Sequence, residues 1–140
     1  CSLPHDAAHD LGEAIREADL LIVATPTYWG GMAARLKQLF ERLVPLFMGL
    51  SRHGLPQPRL KGHRALVIAA CTTPWPFNIL FGQSRGAVRE VRKVLGAGGM
   101  KIARVEIAGT KPMNGVLPET AARRITRQVA AALRKTGDSR

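Results

Sequence analysis

Three things are scarce in this chain: cysteine, aromatic side chains and acid. Its two cysteines, Cys1 and Cys71, stand far apart. That is no disulfide framework, and with no signal peptide the cytoplasm is the expected compartment. No apolar run approaches the roughly 20 residues that span a bilayer, so no membrane partner is expected. Aromatics make up 5% of the chain. Ten acidic side chains face 21 basic ones, a net charge of +11. That excess raises nucleic-acid binding as a class. The basics, however, are spread over several helix faces, few aromatics interleave with them, and no nucleic-acid motif is present. An Arg-rich composition accounts for them without function, and no nucleic-acid partner is expected. Half of the acid lies at the start: five of the ten acidic residues stand at or before Asp19, beside Arg16 alone.

Catalytic side-chain sets are also missing. No Ser-His-Asp or Cys-His signature makes a nucleophile credible. His5 and His9 have the i, i+4 spacing of metal ligands, but no third ligand lies near them, so no metal is expected. Cys1 alone is no ligand set.

What is present is one strong unit, Ala18 to Val44. Leu20-Leu21-Ile22-Val23-Ala24 is too short for a helix and reads as a strand buried on both faces. Thr25 and Pro26 are expected to end it, since Pro26 lacks a ladder donor. A loop follows, Thr27-Tyr28-Trp29-Gly30-Gly31. Leu36, Leu39, Phe40, Leu43 and Val44 then recur at helical spacing. In an open α/β sheet, ligands sit outside the carboxyl ends of strands, where this loop lies. Two glycines permit close backbone approach, and two aromatics offer flat walls. Read on the residues alone, the loop is either a site for a planar heterocycle or a tight turn whose aromatics pack on the sheet edge.

Pro26, Tyr28, Trp29, Gly30, Gly31, Met32, Leu36, Lys37, Glu41 and Arg42 form a pattern that resembles the central segment of the NAD(P)H-dependent FMN reductase family, within the flavodoxin-like fold. The family usually has Asp-Arg where this chain has Glu41-Arg42. The resemblance implies that loop 26–31 meets the isoalloxazine of FMN, mostly through backbone. It implies NADH or NADPH as electron donor and a small-molecule acceptor: free flavin, a quinone, or a nitro- or azo-aromatic. The flavin carries the chemistry, so no catalytic side chain is expected.

The rest of the chain fits that frame. Asp6 is a candidate N-cap for a helix with Ala8, Leu11, Ile15 and Ala18 on one face. Pro45 to Gly62 reads as a long excursion. Leu46, Phe47, Met48 and Leu50 within it, with Trp75 and Phe77 further on, are apolar enough to predict a homodimer or homotetramer. Arg64 to Ala70 is a second buried strand. Its carboxyl end carries Cys71, Thr72 and Thr73, a candidate second wall of the same site. Ser84 is a candidate cap for a helix with Ala87, Val88, Val91, Val94 and Leu95 on one face. Lys101 to Ala108 alternates with charges, as expected of a strand at a sheet edge. A last helix carries Ala122, Ile125, Val129, Ala132 and Leu133.

Helices and strands therefore alternate, which predicts a parallel sheet with right-handed crossovers. The expected fold is a three-layer α/β/α, flavodoxin-like, with the last three strands of a five-stranded domain in residues 1–140. The chain begins at Cys1 without Met, and the resemblance places a first strand and phosphate loop ahead of it. A single, N-terminally incomplete domain is the expectation. The candidate cofactor residues are Pro26, Thr27, Tyr28, Trp29, Gly30, Gly31, Cys71, Thr72 and Thr73.

Overall fold

The computed structural model describes residues 6–137; Cys1 and His5 lie outside them. The elements in order are α1 (Ala7–Glu17), β1 (Leu21–Pro26), α2 (Ala34–Arg42), α3 (Val44–Phe47), β2 (Met48–Leu50) and β3 (Pro56–Pro58). Then come β4 (Arg64–Ala70), α4 (Phe77–Leu80), α5 (Gln83–Ala97), β5 (Lys101–Ile107), a 3-10 turn (Lys111–Met113) and α6 (Glu119–Gly137). The main sheet has the order β1-β4-β5, parallel throughout.

The sheet separates two apolar layers. On one face α1, α2, α3 and α5 pack Ile15, Phe40, Leu43, Phe47, Val91 and Leu95 against Val67 and Ala69. On the other, α6 sets Ala121, with Ile125 and Val129, against Leu66, Val105 and Ile107. Each large aliphatic side chain buried this way contributes about 1.5–3 kcal/mol. The architecture is the expected α/β/α with a parallel sheet, and β5 lies at its edge as its alternation predicted.

Several local expectations need correction. β1 runs through Pro26 instead of ending at Thr25. Thr27 N–H donates to Ala70 O at 2.8 Å, so the neighbouring Pro26 nitrogen points away from β4. Among the described residues that outer edge has no partner strand, and a missing donor there costs no ladder bond. Nor is β1 buried on both faces. Val23 and Thr25 are buried, whereas Ile22 is 48% exposed and Ala24 and Pro26 are exposed too. No described helix covers that face at β1.

On α1, Leu11 faces solvent and Gly12 takes the buried position beside Ile15. The helix after the loop stops at Arg42. Val44 opens a separate turn and is exposed, because Pro45 at the start of α3 cannot extend α2. Residues 45–62 are not a free loop. Leu46 and Phe47 are fully core, and β2 and β3 form a hairpin. Arg59 fixes the segment, its backbone N–H donating to Phe47 O and its guanidinium to Pro45 O. Leu46 and Phe47 therefore offer nothing to a partner, while Leu50 stays exposed.

Candidate functional site

β1 and β4 end side by side, with Pro26 paired to Ala70. The loops that leave them are therefore neighbours, as the sheet rule requires. The first loop is a closed two-residue turn. Tyr28 N–H donates to Gly31 O at 3.1 Å and Gly31 N–H to Tyr28 O at 2.8 Å. Its central residues, Trp29 and Gly30, have φ of 50° and 77°. Two positive φ values in a row define a type I′ turn, which favours Asn or Gly at both positions. Gly30 satisfies that demand; Trp29 does not. A bulky residue held there is strained, and such strain concentrates at functional sites. Trp29 is fully exposed, and Tyr28 is 62% exposed.

The turn is clamped to α5. A methyl group placed on Gly86 would lie 1.8 Å from Gly30 O, so only glycine permits this contact. Next along the helix, Glu90 accepts the Met32 N–H at 2.9 Å. Thr25 Oγ1 accepts the Ala33 N–H at 3.2 Å. Bonding within the turn occupies the amides of Tyr28 and Gly31, and Glu90 takes that of Met32. The amides of Trp29 and Gly30 have no acceptor among the described residues. Thr27 Oγ1 is buried there without a partner. A rigid turn, two free amides and an orphaned hydroxyl form one polar cluster beside exposed aromatic rings.

The second loop supplies a wall of a different kind. Thr72 is exposed and Thr73 half-buried. Cys71 is buried, and its backbone is committed: its N–H donates to Ile107 O and its carbonyl accepts from Thr110 N–H. Burial pushes its thiol above the ordinary value, opposed by hydrogen bonds with the backbone of Thr73 and Gly109 and reinforced by the charge of Glu106. A neutral, enclosed thiol is no nucleophile. Further along, Trp75 is 73% exposed, and Phe77 stacks on Phe81 at 6.0 Å. These rings are not core.

Ser84 does not cap α5; Gly82 does. Ser84 is fully buried, donates to Glu106 Oε2 at 2.6 Å and accepts from Asn78 Nδ2 at 3.0 Å. The triad joins α4, α5 and β5 under the second loop. Asn78 Oδ1 is buried without a partner.

The sequence reading missed Gly86, Glu90 and this triad. Gly86 carried a signal: a glycine inside a helix usually has a packing reason. So did Glu90, the one acid in α5. His9, whose i, i+4 partner His5 is undescribed, closes a capping box with Asp6. No cluster of three metal-ligating side chains occurs among the described residues, and no helix there is long and apolar enough to cross a membrane.

The profile of the flavodoxin-like fold matches residues 3–136. The chain belongs to the flavodoxin-like fold family. Solved structures agree on the fold of this flavodoxin-like chain. An azoreductase from Bacillus anthracis str. Sterne is 18% identical, with a TM-score of 0.59 over 94% of this chain and 62% of its own. An NADH:FMN oxidoreductase in its apo form is 22% identical, with a TM-score of 0.59 over 99% of this chain and 62% of its own. General stress protein 14 from Treponema denticola, solved in complex with FMN, is 14% identical, with a TM-score of 0.68 over 91% of this chain and 74% of its own. Residues 1–140 thus span about three fifths of the first two relatives. No curated protein sequence matches the chain.

Proposed function

We propose that this chain carries the isoalloxazine-binding loops of an FMN-dependent NAD(P)H oxidoreductase. Its acceptor would be a free flavin, a quinone, or a nitro- or azo-aromatic. The observation that carries the reading is the clamped turn with its free Trp29 and Gly30 amides and the orphaned Thr27 hydroxyl. That donor set suits the polar edge of a flavin ring. The named relatives, an azoreductase, an NADH:FMN oxidoreductase and an FMN-bound protein, point the same way.

Bound FMN would accept hydride and pass electrons on. The chain's own residues position and shield. Trp29 and Gly30 amides, fixed by Gly86 and Glu90, hold an electron-rich edge without reorganising. Pro26 and Gly31 frame that turn. Tyr28 and Trp29 exclude water at the ring's side, and Thr72 and Thr73 form the second wall. Cys71 acts through the loop it anchors.

A flavin-binding electron carrier without hydride transfer is the second reading. Carriers of this fold are usually acidic, and the charge of +11 weighs against it. The visible spectrum of the purified protein tests the class, and anaerobic mixing with NADPH separates the two readings. Bleaching of the flavin band at catalytic rates supports the oxidoreductase; a stable oxidised spectrum rejects it. In this fold FMN's phosphate sits at a helix N-terminus after the first strand. Residues 1–140 alone should therefore bind FMN and riboflavin alike; submicromolar FMN binding by a monomer would refute this. The exposed rim of Tyr28, Trp29, Trp75, Phe77 and Phe81 supports assembly as a homodimer or homotetramer near the site, and a monomeric mass by light scattering would reject it.

A further inference from the structure

Beside the turn, α5 borders a groove of about 890 Å³ that reaches β5. Arg85, Arg89, Arg92 and Lys93 line it from α5, and Arg104 from β5. Buried Val88 and Met100 form its floor, and half-buried Ile102 gives it an apolar wall. No carboxylate is among the lining residues. Glu90 is committed to Met32 N–H, and Glu106 bonds Ser84. Glu106 also stands 3.7 Å from Arg104 and partly offsets it. Arg85, Arg89, Arg92 and Lys93 make no ion pair among the described residues.

Arg85, Arg89 and Arg92 follow at i, i+4 and i+7, one stripe about 10 Å long at the helical rise. Uncompensated guanidiniums in a stripe suit several phosphate groups, which each takes in bidentate fashion. The apolar lining argues against a plain solvated face. A nucleic-acid duplex is convex and offers such a groove mainly phosphates. A nucleotide offers both phosphates for the arginines and a flat base for the half-buried Ile102. The groove also includes Gly82 and Gly86, and Gly86 touches the turn. It is therefore continuous with the proposed flavin loop.

We infer that this groove holds the adenosine bisphosphate portion of NADPH and makes NADPH, not NADH, the donor. The ligand's role as donor rests on the oxidoreductase reading; its binding does not. The test is calorimetry on flavin-free protein with adenosine 2′,5′-bisphosphate, AMP and a random DNA duplex. The bisphosphate should bind at least tenfold tighter than AMP. Arg89→Ala and Arg92→Ala should each weaken it by about 10- to 100-fold. Arg127→Ala on α6 should leave it unchanged. All three positions are exposed, so circular dichroism should show an intact fold. Equal binding of bisphosphate and AMP, or indifference to both substitutions, would overturn the inference. So would duplex binding that is tighter and lost with the same arginines, since that describes a general polyanion surface. FMN titration of the same variants keeps the two readings apart. Arg89→Ala and Arg92→Ala should retain flavin affinity. Nucleotide binding without any flavin binding would remove the oxidoreductase reading and leave the groove standing.

Discussion

Gly86→Ala isolates the clamp. The added methyl would sit 1.8 Å from Gly30 O, where real contacts essentially never fall below 3.0 Å. The turn must recede by about 1.2 Å, the difference between those two distances. Overpacking of this kind costs about 1–3 kcal/mol. Alanine in place of a helical glycine returns about 1 kcal/mol. The net loss is about 0–2 kcal/mol, a fall in Tm of no more than about 8 °C. Ligand binding should suffer more. Losing both turn amides as donors costs about 1–3 kcal/mol, or about 5- to 150-fold in flavin affinity. The control is Gly96→Ala on the same helix, whose methyl would meet nothing within 4 Å. It should raise stability by about 1 kcal/mol and leave flavin affinity alone. The assays are thermal melting and flavin titration by fluorescence quenching. A folded Gly86→Ala protein with wild-type flavin affinity would refute the placement of the site. Gly30→Val tests it less cleanly, because φ of 77° strains any side chain there whether or not a ligand is near.

Three further outcomes are expected. Ser84→Ala removes a donor from Glu106 and an acceptor from Asn78 in a fully buried setting, which should cost about 1–3 kcal/mol by denaturant titration; an unchanged midpoint would show the triad is idle. Cys71 should react slowly with a disulfide reagent in native protein and quickly after denaturation, because burial keeps its thiol neutral; prompt native labelling would contradict the enclosed thiol. For Asp6, desolvation raises the carboxyl, but together the bonds with His9 and the Ala8 N–H and the charges of Arg42 and His9 leave it below its ordinary value. Its contribution is therefore present above the unfolded pKa and fades as pH falls through the lower folded value. Asp6→Asn should flatten that acidic limb of the stability curve, and an unaltered limb would discount the cap.

The sequence was most legible where burial is local and complete. β4 was read to the residue because it is the central strand, flanked on both sides, so RALVIAA carries the run by itself. The apolar stripe of α5 and the charged alternation of β5 were equally plain. Legibility failed where distant residues decide. Leu46 and Phe47 look like a loop's apolar tip until Arg59 folds the chain back and delivers them to the core. Ser84 looks like a cap, yet its partner is on β5. The strand-end loops were found by the sheet rule, but that Gly86 and Glu90 hold the first one depends on a helix packing across from it.

Trp29 has a consequence for anyone improving this protein. Left-handed backbone at a non-glycine residue costs about 1–2 kcal/mol, and Trp29 buries no side-chain surface in return. A laboratory selection for heat resistance alone should discard this tryptophan early, in favour of glycine or asparagine. A selection for turnover should keep it. Running both on one library turns a single backbone angle into a reporter: the gap in Trp29 retention between the two pools measures how much activity depends on that ring.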